Sequence, residues 1–193
     1  MADFDNGYED AFNHAMLYEV GGFWNPEDPD VIAGNMQTKE QRRKVGYVND
    51  PADPGGETKY GIAKNANQDV NIQTLGLNEA MEIYYNRYWL AGKCDKMSYP
   101  LTILHFDGCV NHGIGNASKF LQRALGVTDD GQIGPGTLKA LADADQQAVI
   151  NNVIQQRENF YKKIVERKPT SQKFLNGWLR RVSEVGAFTL SKL

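Results

Sequence analysis

No run of apolar residues in this chain approaches the roughly 20 that a membrane span requires. The opening residues, MADFDNGYED, are acidic and polar where a secretory leader has a basic start and an apolar stretch. The expectation is a protein without signal peptide or transmembrane segment, held in the cytoplasm where it is made until a separate agent lets it out. Cysteine is scarce as well. Cys94 and Cys109 lack C-x-x-C spacing, which favours buried thiols over a disulfide or a metal pair. The three histidines, His14, His105 and His112, show no ligand spacing among themselves, so no metal is expected.

Nor is there a large excess of one charge. The net value of -3 conceals an asymmetry, since residues 151–193 hold nine Lys/Arg against three Glu, a net of +6, leaving -9 on the rest. A basic end suggests peripheral contact with an anionic envelope, set against the plainer reading of a solvated helix face. The acidic body argues against nucleic acid as a partner. With 193 residues, 41% hydrophobic and 23% charged, the chain suits one core or two small lobes.

Apolar periodicity predicts a mainly α protein with at most a small β-hairpin in its first half. Tyr8, Ala11, Phe12 and Ala15 mark a helix over residues 7–19, ended by Val-Gly-Gly. Residues 20–75 are rich in Gly, Pro, Asn and Asp and hold no long helical pattern, the stretch MQTKEQRRK excepted. Beyond Gly76, Asn78 caps a helix over EAMEIYYNRYWL, Leu101 to His112 is apolar nearly all round, and Pro135 opens GPGTLKAL. A long stripe around Val149, Val153, Phe160 and Ile164 stops at Lys168-Pro169. Ser171 then caps a last helix carrying Phe174, Leu175, Trp178, Val182 and Val185.

Two features carry chemistry. Glu19 falls four residues after Ala15 and seven after Phe12, on the apolar face at the end of the first helix. Burial and the negative end of the helix dipole both favour the protonated acid there, as a proton donor to a glycosidic bond requires. The second is GYVNDPADPGGETKYGIA, residues 46–63, where prolines restrict a loop bearing Asp50 and Asp53 and glycines let backbone approach a ligand. Either aspartate can supply the second polar group that glycoside hydrolysis needs, with Thr58 orienting water. An array of Asx-Pro turns is the plainer alternative. Tyr47, Tyr60, Trp24 and Trp89 are candidates for stacking on sugar faces, or simply core. Asp107 and Asn111 share an inward helical stripe and are read either as a bracing pair or as sugar contacts.

Taken together, NDPADPGGETKYGI, AMEIYYNRYW, FDGCVNHGIGNASKFLQRALGV and DGQIGPGTLKAL, in this order, resemble the phage endolysins of glycoside hydrolase family 108 with their C-terminal peptidoglycan-binding segment. The resemblance implies a lysozyme-like two-lobed fold. Residues 1–92 would form the catalytic region and 93–193 a helical peptidoglycan-binding-like region packed on it in one compact unit. It implies a monomeric N-acetylmuramidase that cleaves the β-1,4 bond between N-acetylmuramic acid and N-acetylglucosamine without a cofactor, and is released to the wall by a separate pore protein. Glu19, Asp53, Thr58 and Asp50 would be catalytic. Tyr47, Gly55, Gly56, Tyr60, Asp107 and Asn111 would contact peptidoglycan glycan strands. A lytic transglycosylase and a non-catalytic wall-binding or virion protein are the alternatives. In the family pattern the glutamate directly precedes Gly-Gly-Tyr-Val; here about 25 residues, with an insertion at about 23–45, separate YEVGGF from GYVNDPADPGG. That insertion reads either as a lid over the glycan groove or as a surface excursion.

Overall fold

The computed structural model describes residue 4, residues 6–50 and residues 55–193. Among the described residues it holds nine α-helices and one two-stranded antiparallel hairpin, the mainly α class that the periodicity predicts. The chain divides into two compact units, Met1–Asn86 and Arg87–Leu193.

In the first unit, helix α1 (Asn6–Glu19) buries Tyr8, Phe12, Ala15 and Met16, the stripe expected of an amphipathic helix. It stops where Val-Gly-Gly begins. Gly21 has φ +74, and the Gly22 amide donates to the Leu17 carbonyl at 2.9 Å, the six-to-one bond of a Schellman cap. Glu19 is therefore held as the last helical residue.

Two short helices follow, and both carry strong start signals. In α2 (Pro29–Ala33) the Asp28 side chain accepts from the Asp30 amide, and α3 (Lys39–Lys44) begins with a Thr38–Gln41 capping box. The hairpin consists of β1 (Thr58–Lys59) and β2 (Ile62–Ala63), with Thr58 opposite Ala63, and Val48 bridges to Thr58 from the other side. Its turn residues Tyr60 and Gly61 have φ 52 and 73, the two positive values of a type I′ turn.

Helix α4 (Leu77–Tyr84) takes Gly76, not Asn78, as its cap. Leu77, Ala80 and Tyr84 are buried, and starting at Leu77 brings all three to one face. Helices α1 and α4 are fastened by the Tyr8 hydroxyl, which donates to the Met81 carbonyl at 2.6 Å, and by edge-on packing of Phe12 on Tyr84 at 5.4 Å.

The second unit contains α5 (Leu101–His112), α6 (Ile114–Leu125), α7 (Pro135–Ala142), α8 (Gln146–Arg167) and α9 (Gln172–Leu190). Helix α5 is buried without a break from Leu101 to Cys109. Small residues set the helix spacings: a Cβ on Gly108 would lie 3.3 Å from Ala117, and one on Gly186 only 2.5 Å from Ile154. Ser171 sits at the cap of α9 but makes no side-chain capping bond, because the 3₁₀ turn Pro169–Ser171 already runs into the helix.

Asp107 on α5 is clamped from two helices. Arg157 Nη2 of α8 lies 2.5 Å from Oδ2, and Arg181 Nε of α9 donates to Oδ1 at 3.0 Å. Burial alone would raise the Asp107 pKa, but the two guanidinium groups outweigh it and hold the carboxyl below the usual range. Two cations counted above in the basic end, buried Arg157 and half-buried Arg181, thus share one internal carboxylate.

Candidate active site

The end of α1 meets the hairpin turn directly. A Cβ added to Gly61 would lie 3.0 Å from Glu19 Cβ, 3.1 Å from Glu19 Oε2 and 2.6 Å from the Tyr84 hydroxyl. Only glycine tolerates both this approach and the positive φ. Glu19 is half-buried and rests on the turn with the Tyr84 hydroxyl, which donates to the Tyr60 carbonyl at 3.0 Å.

The neighbouring residue closes a second contact. A Cβ on Gly46 would sit 3.0 Å from both Val20 Cα and Val20 Cγ1. The chain leaving α1 at Val20 therefore returns to the same point at Gly46, and everything between is a closed excursion.

That excursion is tied down. Lys44 Nζ lies 2.9 Å from Asp28 and 3.5 Å from Asp30, Gln41 donates to Asp30 at 2.9 Å, and the Arg43 guanidinium stacks 4.1 Å above the Phe23 ring. From below, the Tyr60 hydroxyl donates to the Val31 carbonyl at 2.5 Å and Lys59 Nζ to the Gly34 carbonyl at 2.8 Å. Phe23, Lys39, Glu40, Arg43 and Lys44 line an open cavity of about 550 Å³ on its surface. Among the described residues, neither Glu19 nor Asp50 lines that cavity.

The loop after Gly46 is braced at its base. Val48 and Thr58 exchange backbone bonds of 3.0 and 2.8 Å, Lys64 N donates to the Glu57 carbonyl at 2.8 Å, and Asn65 N to the Gly55 carbonyl at 3.1 Å. Gly56 has φ +70, and a Cβ there would meet the Asn65 side chain at 3.3 Å. Thr58 is half-buried and its hydroxyl donates to the Gly56 carbonyl at 3.3 Å. The half-buried Tyr47 donates to Glu57 Oε1 at 2.7 Å and accepts from Gln73 at 3.1 Å. The bond to Glu57 raises the Tyr47 pKa. Asp50 is exposed at the start of the loop. Asp53, with Pro51, Ala52 and Pro54, lies outside the described residues.

Other candidates serve the frame. Tyr60 is fully buried, so it can reach a ligand only through the turn backbone it supports. Trp89 is buried, and half-buried Trp24 donates to Asn13 at 3.1 Å. Asp107 and Asn111 belong to the second unit. Both oxygens of buried Asp107 are engaged by arginines, while exposed Asn111 accepts from the Tyr161 hydroxyl.

Sequence reasoning passed over three contributors: Tyr84 and Glu57, named above, and Lys59. Lys59 is fully buried, and burial pushes its pKa down. A lysine in a two-residue strand gives no periodic signal of burial. A further cluster has no signal when cysteine and histidine spacings are read separately. His105 and Cys109 are one turn apart on α5, and with Cys94 they bring ligand atoms within 4.8 Å of one another, all buried. Such donors can hold a soft metal, although a closed zinc site takes four. The hydrogen bond from Cys94 lowers the Cys109 pKa.

Comparisons with known proteins bear on both units. Residues 41–113 match the family model for glycosyl hydrolase 108, and residues 116–183 match that of a predicted peptidoglycan domain. Glu19 precedes the first matched segment, whereas Asp50, Asp53 and Thr58 fall within it. Brucella abortus SagA is similar in structure: 29% identical, covering 76% of this chain and 86% of that one, with a TM-score of 0.64. No curated protein matches the chain.

Proposed function

We propose that this chain, a glycosyl hydrolase 108 protein over residues 41–113 with a predicted peptidoglycan domain over residues 116–183, cleaves the β-1,4 bond between N-acetylmuramic acid and N-acetylglucosamine. Glu19 gives its proton to the bridging oxygen. Asp50 or Asp53 stabilises charge on the sugar or holds water, and Thr58 orients that water.

One observation carries the reading, the contact of Val20 with Gly46. In the family pattern a glutamate directly precedes the Gly-Gly-Tyr-Val run. Here the closed excursion brings the end of α1 back to the Gly46-Tyr47-Val48 segment, so Glu19 meets the loop in space although 26 residues lie between Glu19 and Gly46 in sequence. The excursion is tied down by Lys44, Lys59 and Tyr60, which favours the surface-excursion reading over a hinged lid. The biological setting we infer is phage lysis, with a monomer held in the host cytoplasm until a pore protein opens the way to the wall. The basic C-terminal helices would then touch the envelope.

Mass spectrometry of digested muropeptides tests the reaction. Hydrolysis leaves reducing muramic acid ends. A lytic transglycosylase would leave 1,6-anhydro ends, and their appearance overturns the assignment.

A further inference from the structure

In the second unit, helices α6 and α8 pack side by side, and between them runs a groove of about 320 Å³ lined by Lys119, Arg123, Lys163 and Arg167, with Phe160 and Asn116. The cations form two pairs, each four residues apart on its helix, hence roughly 6 Å along each axis. Like charges at this spacing repel, so the two pairs by themselves do not favour the fold. Arg123 is ion-paired with Asp129 at 2.6 Å, and the Lys119 charge helps lower the pKa of Asp129 and Asp130 without pairing with either. Among the described residues Lys119, Lys163 and Arg167 have no ion pair. Lys162, the next residue on α8, does, with Glu158 at 3.7 Å.

We propose that this groove binds the peptide stem of peptidoglycan through its carboxylates. The inference rests on the reading of the substrate as peptidoglycan. All six lining residues named above fall inside the segment 116–183 that matches a predicted peptidoglycan domain. Four cations along one groove complement the several carboxylates of a stem peptide. The guanidinium forks suit bidentate carboxylates, and the lysines act as point charges. Phe160 supplies an apolar patch for small side chains such as alanyl methyls. Glycan hydroxyls offer nothing anionic to such a surface, so the groove would select wall that still carries peptide.

Binding is measured in a Glu19→Gln background, so that digestion of the ligand cannot interfere and a failure of the catalytic reading appears in activity, not here. The ligands are purified sacculi, sacculi stripped of stems by an amidase, and vesicles of anionic phospholipid, all at low ionic strength. Changing Lys119, Lys163 and Arg167 together to Glu should weaken binding to intact sacculi by at least about tenfold. The same three changed to Gln should give a smaller loss, and Lys139→Glu on α7 none. Stripped wall keeps one lactyl carboxylate per muramic acid after amide cleavage but loses the stem carboxylates, so it should bind the parent more weakly than intact sacculi do. Circular dichroism establishes that each variant is folded. Equal binding of the parent to intact and stripped sacculi, or a triple variant that loses affinity for vesicles alone, overturns the proposal.

Discussion

Glu19 rests on the backbone of Gly61: a methyl group on that glycine would fall 3.0 Å from Glu19 Cβ and 3.1 Å from its Oε2. The acid is thus positioned by a turn with no side chain, and the turn exists because Tyr60 and Gly61 both accept positive φ.

Gly61→Ala should therefore damage both the turn and the acid. The positive φ and the collision with the Tyr84 hydroxyl at 2.6 Å should cost about 1–3 kcal/mol in denaturant unfolding, with a loss of lytic rate beyond what reduced stability explains. Adding Tyr84→Phe removes the obstructing hydroxyl and should recover part of the stability; strict additivity of the two changes would contradict the contact.

Lys59 offers a test of buried charge. It is fully buried, with its ammonium on the Gly34 carbonyl. Lys59→Met keeps the volume and removes the charge but leaves the Gly34 carbonyl without its donor, so it should cost about 1–3 kcal/mol at most, whereas Lys59→Ala also opens a cavity and should cost about 2–4 kcal/mol. Urea unfolding of the two variants measures the difference.

The Asp107 clamp should respond more strongly to loss of charge. Asp107→Asn leaves Arg157 and Arg181 facing each other without a carboxylate, and should cost about 3–5 kcal/mol. Double-mutant cycles with Arg181→Met should show strong coupling, since the pair is in contact at 2.9 Å.

His112 makes stability depend on pH. Burial, then the Arg157 charge, pushes its pKa down to about 3, and Arg157 Nε donates to its ring at 3.2 Å. The unfolded chain takes up a proton near pH 6.5 and the folded one does not, so this contribution is complete above about pH 6.5 and is lost as pH falls towards 3. At about 1.4 kcal/mol per pH unit, the loss reaches several kcal/mol. Unfolding midpoints measured from pH 7 to 4 should fall, and His112→Gln should flatten the slope.

How far the sequence reaches is clear from particular residues. The stripes Tyr8–Phe12–Ala15 and Val149–Val153 mark real helices, since 3.6-residue periodicity reports burial on one face. Val-Gly-Gly after Glu19 marks a real cap. Asn78 misleads, because burial of Leu77 starts α4 earlier than capping preference alone suggests. Arg157 misleads in another way: a charge in a basic run looks solvated until the fold brings Asp107 to it. The meeting of Val20 with Gly46 has no sequence signature, being a contact between chain ends of an excursion whose closure depends on Lys44, Tyr60 and Lys59 together. The groove cations at 119 and 123 lie far from the basic end and join it only through helix packing.

Glu19 as proton donor is tested most directly by the rate at which Glu19→Gln clears permeabilised bacteria relative to the parent, with thermal unfolding as a check on folding. A folded variant slower by on the order of 10² to 10⁴ is the predicted result. A folded variant that lyses cells as fast as the parent would contradict it.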